Sequence, residues 1–164
     1  MKTTIKIGVI AMNKKNQVLL IKEKYREVDG FKWNFIKGTY DRVEETLAEC
    51  AKRELKEEAG LNVKIDNFQL KGVHNYGSAK DPKVLFIFYV FNICDEGSLS
   101  LLKDQKSRGE NIIRLNWFSL EEAFKLKQND FVAEYVYFSL KTLKNYLRKS
   151  NVDEIMFSTE SRIV

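Results

Sequence analysis

One proline, one histidine and two cysteines in 164 residues leave several kinds of site without their raw material. Cys50 and Cys94 form neither a C-x-x-C pair nor a disulfide framework, and both read as reduced packing thiols of a cytoplasmic protein. His74, the sole histidine, reads as a strand-end residue without catalytic duty. Long apolar runs are also missing. The longest, Val84–Phe91, has eight residues, against the ~20 that a bilayer-spanning helix needs. The opening MKTTIKIGVIAM, with lysines at 2 and 6, reads as a strand rather than a secretory signal. No membrane partner is expected. The formal charge of +5 suits an anionic ligand, but no compact arginine-rich or aromatic-interleaved stretch accompanies it, so nucleic acid is not indicated.

A hydrophobic content of 44% with 12% aromatics argues against disorder, and the length suits one core. Residues 1–149 read as one domain and 150–164 as a tail of unknown structure. Strands are predicted over Thr3–Met12, Gln17–Glu23, Lys32–Ile36, Asn62–His74, Lys83–Phe91 and Ile112–Phe118, with Asn75–Pro82 as a loop. A helix is predicted from Thr46, whose capping box pairs it with Glu49, to Ala59, where Gly60 supplies the left-handed terminus. Ser119 and Glu122 repeat the capping box for a short helix to about Leu126. Asp130 is expected to cap a last helix to about Lys149, its core stripe being Val132, Val136, Leu140, Leu143 and Leu147. The order is that of a mixed α/β fold.

The most informative residues lie in the first helix. Glu54, Glu57 and Glu58 stand at i, i+3 and i+4, so a helix gathers three carboxylates on one face. Such crowding destabilises an isolated helix by about 0.2–0.5 kcal/mol per pair. A bound cation of high charge density reverses that sign, and Mg²⁺ or Mn²⁺ prefers hard oxygens of this kind. The bland alternative is a solvated face tied to Lys52 and Lys56.

The surroundings favour the metal. Glu45-x7-Arg53-Glu54-Leu55-x-Glu57-Glu58-x-Gly60-Leu61 resembles the Nudix box without a gap, and Trp33-Asn34-Phe35-Ile36-Lys37-Gly38 resembles the W-x-F-P-K-G lead-in common in that family. Two departures stand out. Six residues separate Gly38 from Glu45 where the pattern has five, read as one residue inserted in the turn, and Ile36 takes the place of proline.

The resemblance implies a Nudix-type α/β/α sandwich with a mixed sheet and hydrolysis of a phosphoanhydride bond in a nucleoside diphosphate linked to another group. It implies Mg²⁺ or Mn²⁺ held by Glu54, Glu57, Glu58 and the Gly38 carbonyl, with Arg53 paired to Glu45 to orient the helix carboxylates. The general base is Glu57 or Glu58 of the box or Glu110 of the loop 104–110. Lys37, Tyr76 and Arg108 are candidate substrate contacts. Lys37 and Tyr76 give a modest preference for dinucleoside polyphosphates over ADP-ribose, another nucleotide sugar or a (deoxy)nucleoside triphosphate. A homodimer is left open. The alternative class is a non-hydrolysing Nudix-fold sensor, for which the altered turn is the only argument.

Overall fold

A computed structural model describes residues 2–26, 30–94 and 112–160. Among these, seven strands form one sheet: β1 (Thr4–Asn13), β2 (Gln17–Arg26), β3 (Gly30–Asn34), β4 (Ile36–Thr39), β5 (Gln69–Ser78), β6 (Asp81–Ile93) and β7 (Ile112–Ser119). Helices α1 (Leu47–Ala59), α2 (Leu120–Lys125) and α3 (Glu134–Glu160) accompany them. β1 runs parallel to β6 and antiparallel to β2 and β4, so the sheet is mixed.

β1 and β6 lie at the centre because both of their faces are apolar. Ile7, Val9 and Ala11 join Phe88 and Val90 in a core that α1 closes with Cys50, Ala51, Leu55 and Ala59. Ile10 and Met12 turn the other way, with Leu85, Ile87 and Tyr89, into a core closed by Val132, Val136, Leu140 and Leu143. A strand buried on both sides reads as a continuous apolar run, and each large side chain so buried contributes about 1.5–3 kcal/mol. The result is a helix–sheet–helix sandwich.

β1 pairs with β2 only at its end, at Met12↔Val18, and with β4 along Lys6–Val9. The sheet therefore divides along β1, and β4 lies beside α1. Phe35 separates β3 from β4 where one strand, Lys32–Ile36, was expected. The fully buried Asn34 accepts from the Phe35 N–H at 3.0 Å and donates to Glu23 Oε1 at 2.8 Å. The Phe35 ring then covers Gly8, where a Cβ would collide with it.

Four other expectations change. Residues Asn62–Phe68 hold a 3₁₀ turn at Ile65–Asn67, and β5 begins only at Gln69. Asn75 and Tyr76 belong to β5 rather than to a loop, because β5 and β6 pair as far as Ser78↔Asp81; His74 accordingly lies within that strand. Asp130 caps a 3₁₀ turn at Gln128–Asp130 by accepting from the Lys127 N–H at 2.7 Å, so α3 starts at Glu134. α3 also continues to Glu160, past Lys149.

Candidate active site

α1 starts and stops where its sequence directs. Thr46 Oγ1 accepts from the Glu49 N–H at 3.2 Å while the Glu49 carboxylate takes the Thr46 N–H at 2.7 Å. Gly60, at φ 68°, ends the helix with its N–H on the Lys56 carbonyl. Between these caps the helix buries Cys50, Ala51, Leu55 and Ala59 and, unusually for a carboxylate, Glu54.

Arg53 gathers the acids around it. Its Nε and Nη2 hold both oxygens of Glu45 at 3.1 and 2.8 Å, the two-pronged geometry that a planar guanidinium favours. Its Nη1 reaches Glu54 Oε1 at 2.6 Å and Glu57 Oε2 at 3.2 Å. The bond to Arg53 holds the Glu45 carboxyl below its usual range, and the same bond raises the guanidinium's own pKa. Arg53 is thus no ordinary surface partner of one neighbouring turn; it ties Glu45, fully eight residues back, to two residues of the glutamate face. Arg42 adds a longer contact to Glu57 at 3.8 Å.

The inserted residue leaves this geometry intact. The turn between β4 and α1 puts Val43 at an almost fully exposed position, while the Tyr40 hydroxyl donates to the Glu45 carbonyl at 2.6 Å and holds Glu45 toward Arg53. Ile36, in the place of proline, packs fully buried in the α1-side core.

β4 brings the rest. A Cβ at Gly38 would fall on the Glu54 carboxyl group, so only glycine allows the strand to approach that acid. The Lys37 N–H donates to Glu58 Oε2 at 3.2 Å. The Lys37 side chain leaves on the opposite face, where Nζ donates to the Tyr135 hydroxyl at 3.0 Å. Burial alone would lower the Lys37 pKa, but Tyr135, with Glu23 and Tyr76, outweighs it and the net shift is upward. Lys37 is an ammonium at neutral pH. Tyr135 in turn touches the rings of Phe35 and Tyr76 at 5.7 and 5.8 Å between centroids.

A family model for the NUDIX domain matches residues 2–140. The chain belongs to the Nudix family. Solved structures agree on the Nudix fold. A NUDIX hydrolase from Nitrosomonas europaea superposes with a TM-score of 0.64 at 20% identity, over 90% of each chain. A MutT NUDIX hydrolase from Burkholderia pseudomallei gives 0.62 at 21% identity, over 86% of this chain and 98% of its own. A structure titled as an ADP compounds hydrolase gives 0.68 at 16% identity, over 90% of this chain and 74% of its own. No curated protein matches. Membership makes the chain a pyrophosphohydrolase acting on phosphorus anhydrides, in a family that generally uses divalent metal ions.

The Nudix residues of this chain fit such an ion in donor chemistry. Glu54, Glu57 and Glu58 offer hard carboxylate oxygens, and Gly38 leaves no side chain between the main chain and Glu54. Among the described residues no three acids, histidines or cysteines are grouped closely enough to bind a metal. Arg53 takes oxygens of Glu54 and Glu57, and the Lys37 N–H takes one of Glu58. Glu110 and Arg108 lie outside the described residues. Cys94 is exposed, so of the two thiols only Cys50 packs in the core. Tyr135 is the site residue that sequence reasoning missed, and no local signal could have found it, since it stands 98 positions from its partner Lys37.

Proposed function

We propose that the protein cleaves the phosphate chain of a dinucleoside polyphosphate, in the cytoplasm, with Mg²⁺ or Mn²⁺. Gly38, Glu54, Glu57 and Glu58 are the residues that would hold the ion, Arg53 and Glu45 orient them, and Glu110 is the general base. A bound divalent cation supplies charge neutralisation at the phosphate oxygens and a lowered pKa for coordinated water. Arg53, fixed by both oxygens of Glu45, sets where the helix acids point.

One observation carries the substrate preference. The residue beside Gly38 places a half-buried ammonium against two tyrosines, Tyr135 directly and Tyr76 through Tyr135. That pairing offers a point charge to a phosphate and an aromatic face to a base. A second reading, ADP-ribose or another ADP-linked compound, is favoured by the neighbour titled as an ADP compounds hydrolase. A non-hydrolysing sensor is disfavoured because Glu45, Arg53, Glu54, Glu57 and Glu58 are all retained.

The test is kcat/KM across dinucleoside polyphosphates, ADP-ribose, nucleotide sugars and nucleoside triphosphates with each metal, products being identified by mass. The dinucleotides should lead, and Tyr76→Ala should mainly raise KM for them. A preference for ADP-ribose that Tyr76→Ala leaves untouched would sink the dinucleotide reading. Glu110→Gln should depress kcat far more than KM; near-normal kinetics would return the base to Glu57 or Glu58.

A further inference from the structure

The lengthened turn between β4 and α1 brings a second arginine to the glutamate face, held there far more loosely than Arg53. Tyr40 anchors one end of the turn, its N–H on the Ile5 carbonyl at 3.0 Å. At the other end the Glu45 N–H closes a tight turn on the Arg42 carbonyl at 3.4 Å, and the Tyr40 hydroxyl holds the Glu45 carbonyl. The apex is left to Arg42 and Val43. Val43 is exposed to solvent, whereas Arg42 Nη2 lies 3.8 Å from Glu57 Oε1.

Glu57 is thus shared between two guanidiniums. Its Oε2 faces Arg53 at 3.2 Å and its Oε1 faces Arg42. The two differ in what else holds them. Arg53 is committed to both oxygens of Glu45 and to Glu54, and its side chain is 16% exposed. Among the described residues Arg42 has this one ion pair, and its side chain is 60% exposed. An exposed pair of that length contributes little to stability. A group that needs the oxygens of Glu57 therefore displaces Arg42 and leaves Arg53 in place. The displaced guanidinium then lacks an anion. A phosphate supplies one, since its oxygens match the planar fork of N–H donors that arginine presents.

We propose that Arg42 is a substrate-binding residue that changes partners: it neutralises Glu57 in the metal-free protein, yields that carboxylate to the divalent ion and turns to an oxygen of the substrate's phosphate chain. This rests on the metal reading of the glutamate face given above. No other residue at the turn's apex suits the part, since Asp41 and Glu44 are acids and Val43 is apolar. The turn suits the movement. With its ends held at Tyr40 and Glu45, the Arg42 side chain swings without disturbing β4 or the α1 cap.

Titration of Mn²⁺ into metal-free protein, with free Mn²⁺ followed by electron paramagnetic resonance, tests the change of partner. Calorimetric titration of the Mn²⁺-saturated protein with methylenediphosphonate, a non-hydrolysable diphosphate, tests the phosphate contact. Arg42→Ala should keep the wild-type melting temperature and bind Mn²⁺ about threefold more tightly, the gain from removing a competing exposed ion pair. It should bind methylenediphosphonate about tenfold more weakly and raise KM to a similar degree, the loss expected for one charged hydrogen bond. The opposite signs are the signature, because a role in turn structure alone would weaken both. Arg42→Lys keeps the charge, so its Mn²⁺ affinity should stay near that of wild type; an affinity as tight as that of Arg42→Ala overturns the competition. Unchanged or weaker Mn²⁺ binding in Arg42→Ala overturns it as well. Unchanged methylenediphosphonate affinity and KM in Arg42→Ala overturn the phosphate contact. Wild-type protein that binds no Mn²⁺ defeats the metal reading and this inference with it, whereas equal Mn²⁺ binding by wild type and Arg42→Ala defeats this inference alone.

Discussion

Glycine 38 is decided by a single missing carbon. A methyl there would overlap the Glu54 carboxyl, and forcing an extra carbon into a packed site costs about 1–3 kcal/mol. Gly38→Ala should lower both the melting temperature and kcat; turnover at the wild-type rate would show that the close approach is incidental. The two cysteines differ in the same local way. Burial pushes the Cys50 thiol up to about 12, while Cys94 is exposed. Native protein at pH 8 should react with a thiol reagent at Cys94 alone, Cys50 following only on unfolding, and Cys94→Ser should remove the native reaction. The sign of the pH effect follows from the raised value. Cys50 contributes its full stability below its ordinary value of 9.0, and that contribution is lost as pH rises toward about 12. Cys50→Ala should therefore flatten the alkaline limb of the stability curve, as measured by denaturation from pH 8 upward.

At the scale of the element, α1 owes its limits to residues it does not share with the core. Thr46→Ala removes the hydroxyl that accepts from Glu49 and should cost about 1 kcal/mol in denaturant unfolding, with the sheet unaffected. Within α3, the Ser139 hydroxyl is buried without a hydrogen-bond partner among the described residues. Ser139→Ala should be neutral or stabilising by up to about 1 kcal/mol, since it removes an unsatisfied polar atom and little volume; a clear loss would reveal a partner. Elements bounded by local signals were legible in the sequence, as the capping boxes at Thr46 and Ser119 and the left-handed Gly60 show. Others were not. Gly77 and Pro82 look like loop residues, yet they pair with each other near a hairpin turn, where β6 is only beginning and a proline costs little. Asp130 has the chemistry of a cap but spends it on its own 3₁₀ turn.

Across the whole molecule, the sheet brings two chemistries to opposite faces of one short strand. Ile36 and Gly38 face the glutamate helix, and Lys37 faces α3. The glutamate side was readable because Arg53, Glu54, Glu57 and Glu58 lie within one helix and Glu45 immediately before it. On the lysine side Lys37 and Tyr76 were readable too, but Tyr135 was not, because it comes from α3 and meets Lys37 on β4 only through helix packing. The central claim belongs to the first side: the α1 carboxylates support metal-dependent cleavage of a phosphoanhydride. Its most direct test is turnover of the best nucleotide substrate by wild type and Glu57→Gln, each with Mg²⁺ or Mn²⁺ and after thorough chelation. The account predicts that chelation abolishes wild-type turnover, that added metal restores it, and that Glu57→Gln loses orders of magnitude in kcat at an unchanged melting temperature. Wild-type turnover that survives chelation, or a Glu57→Gln variant with normal kcat, would contradict it.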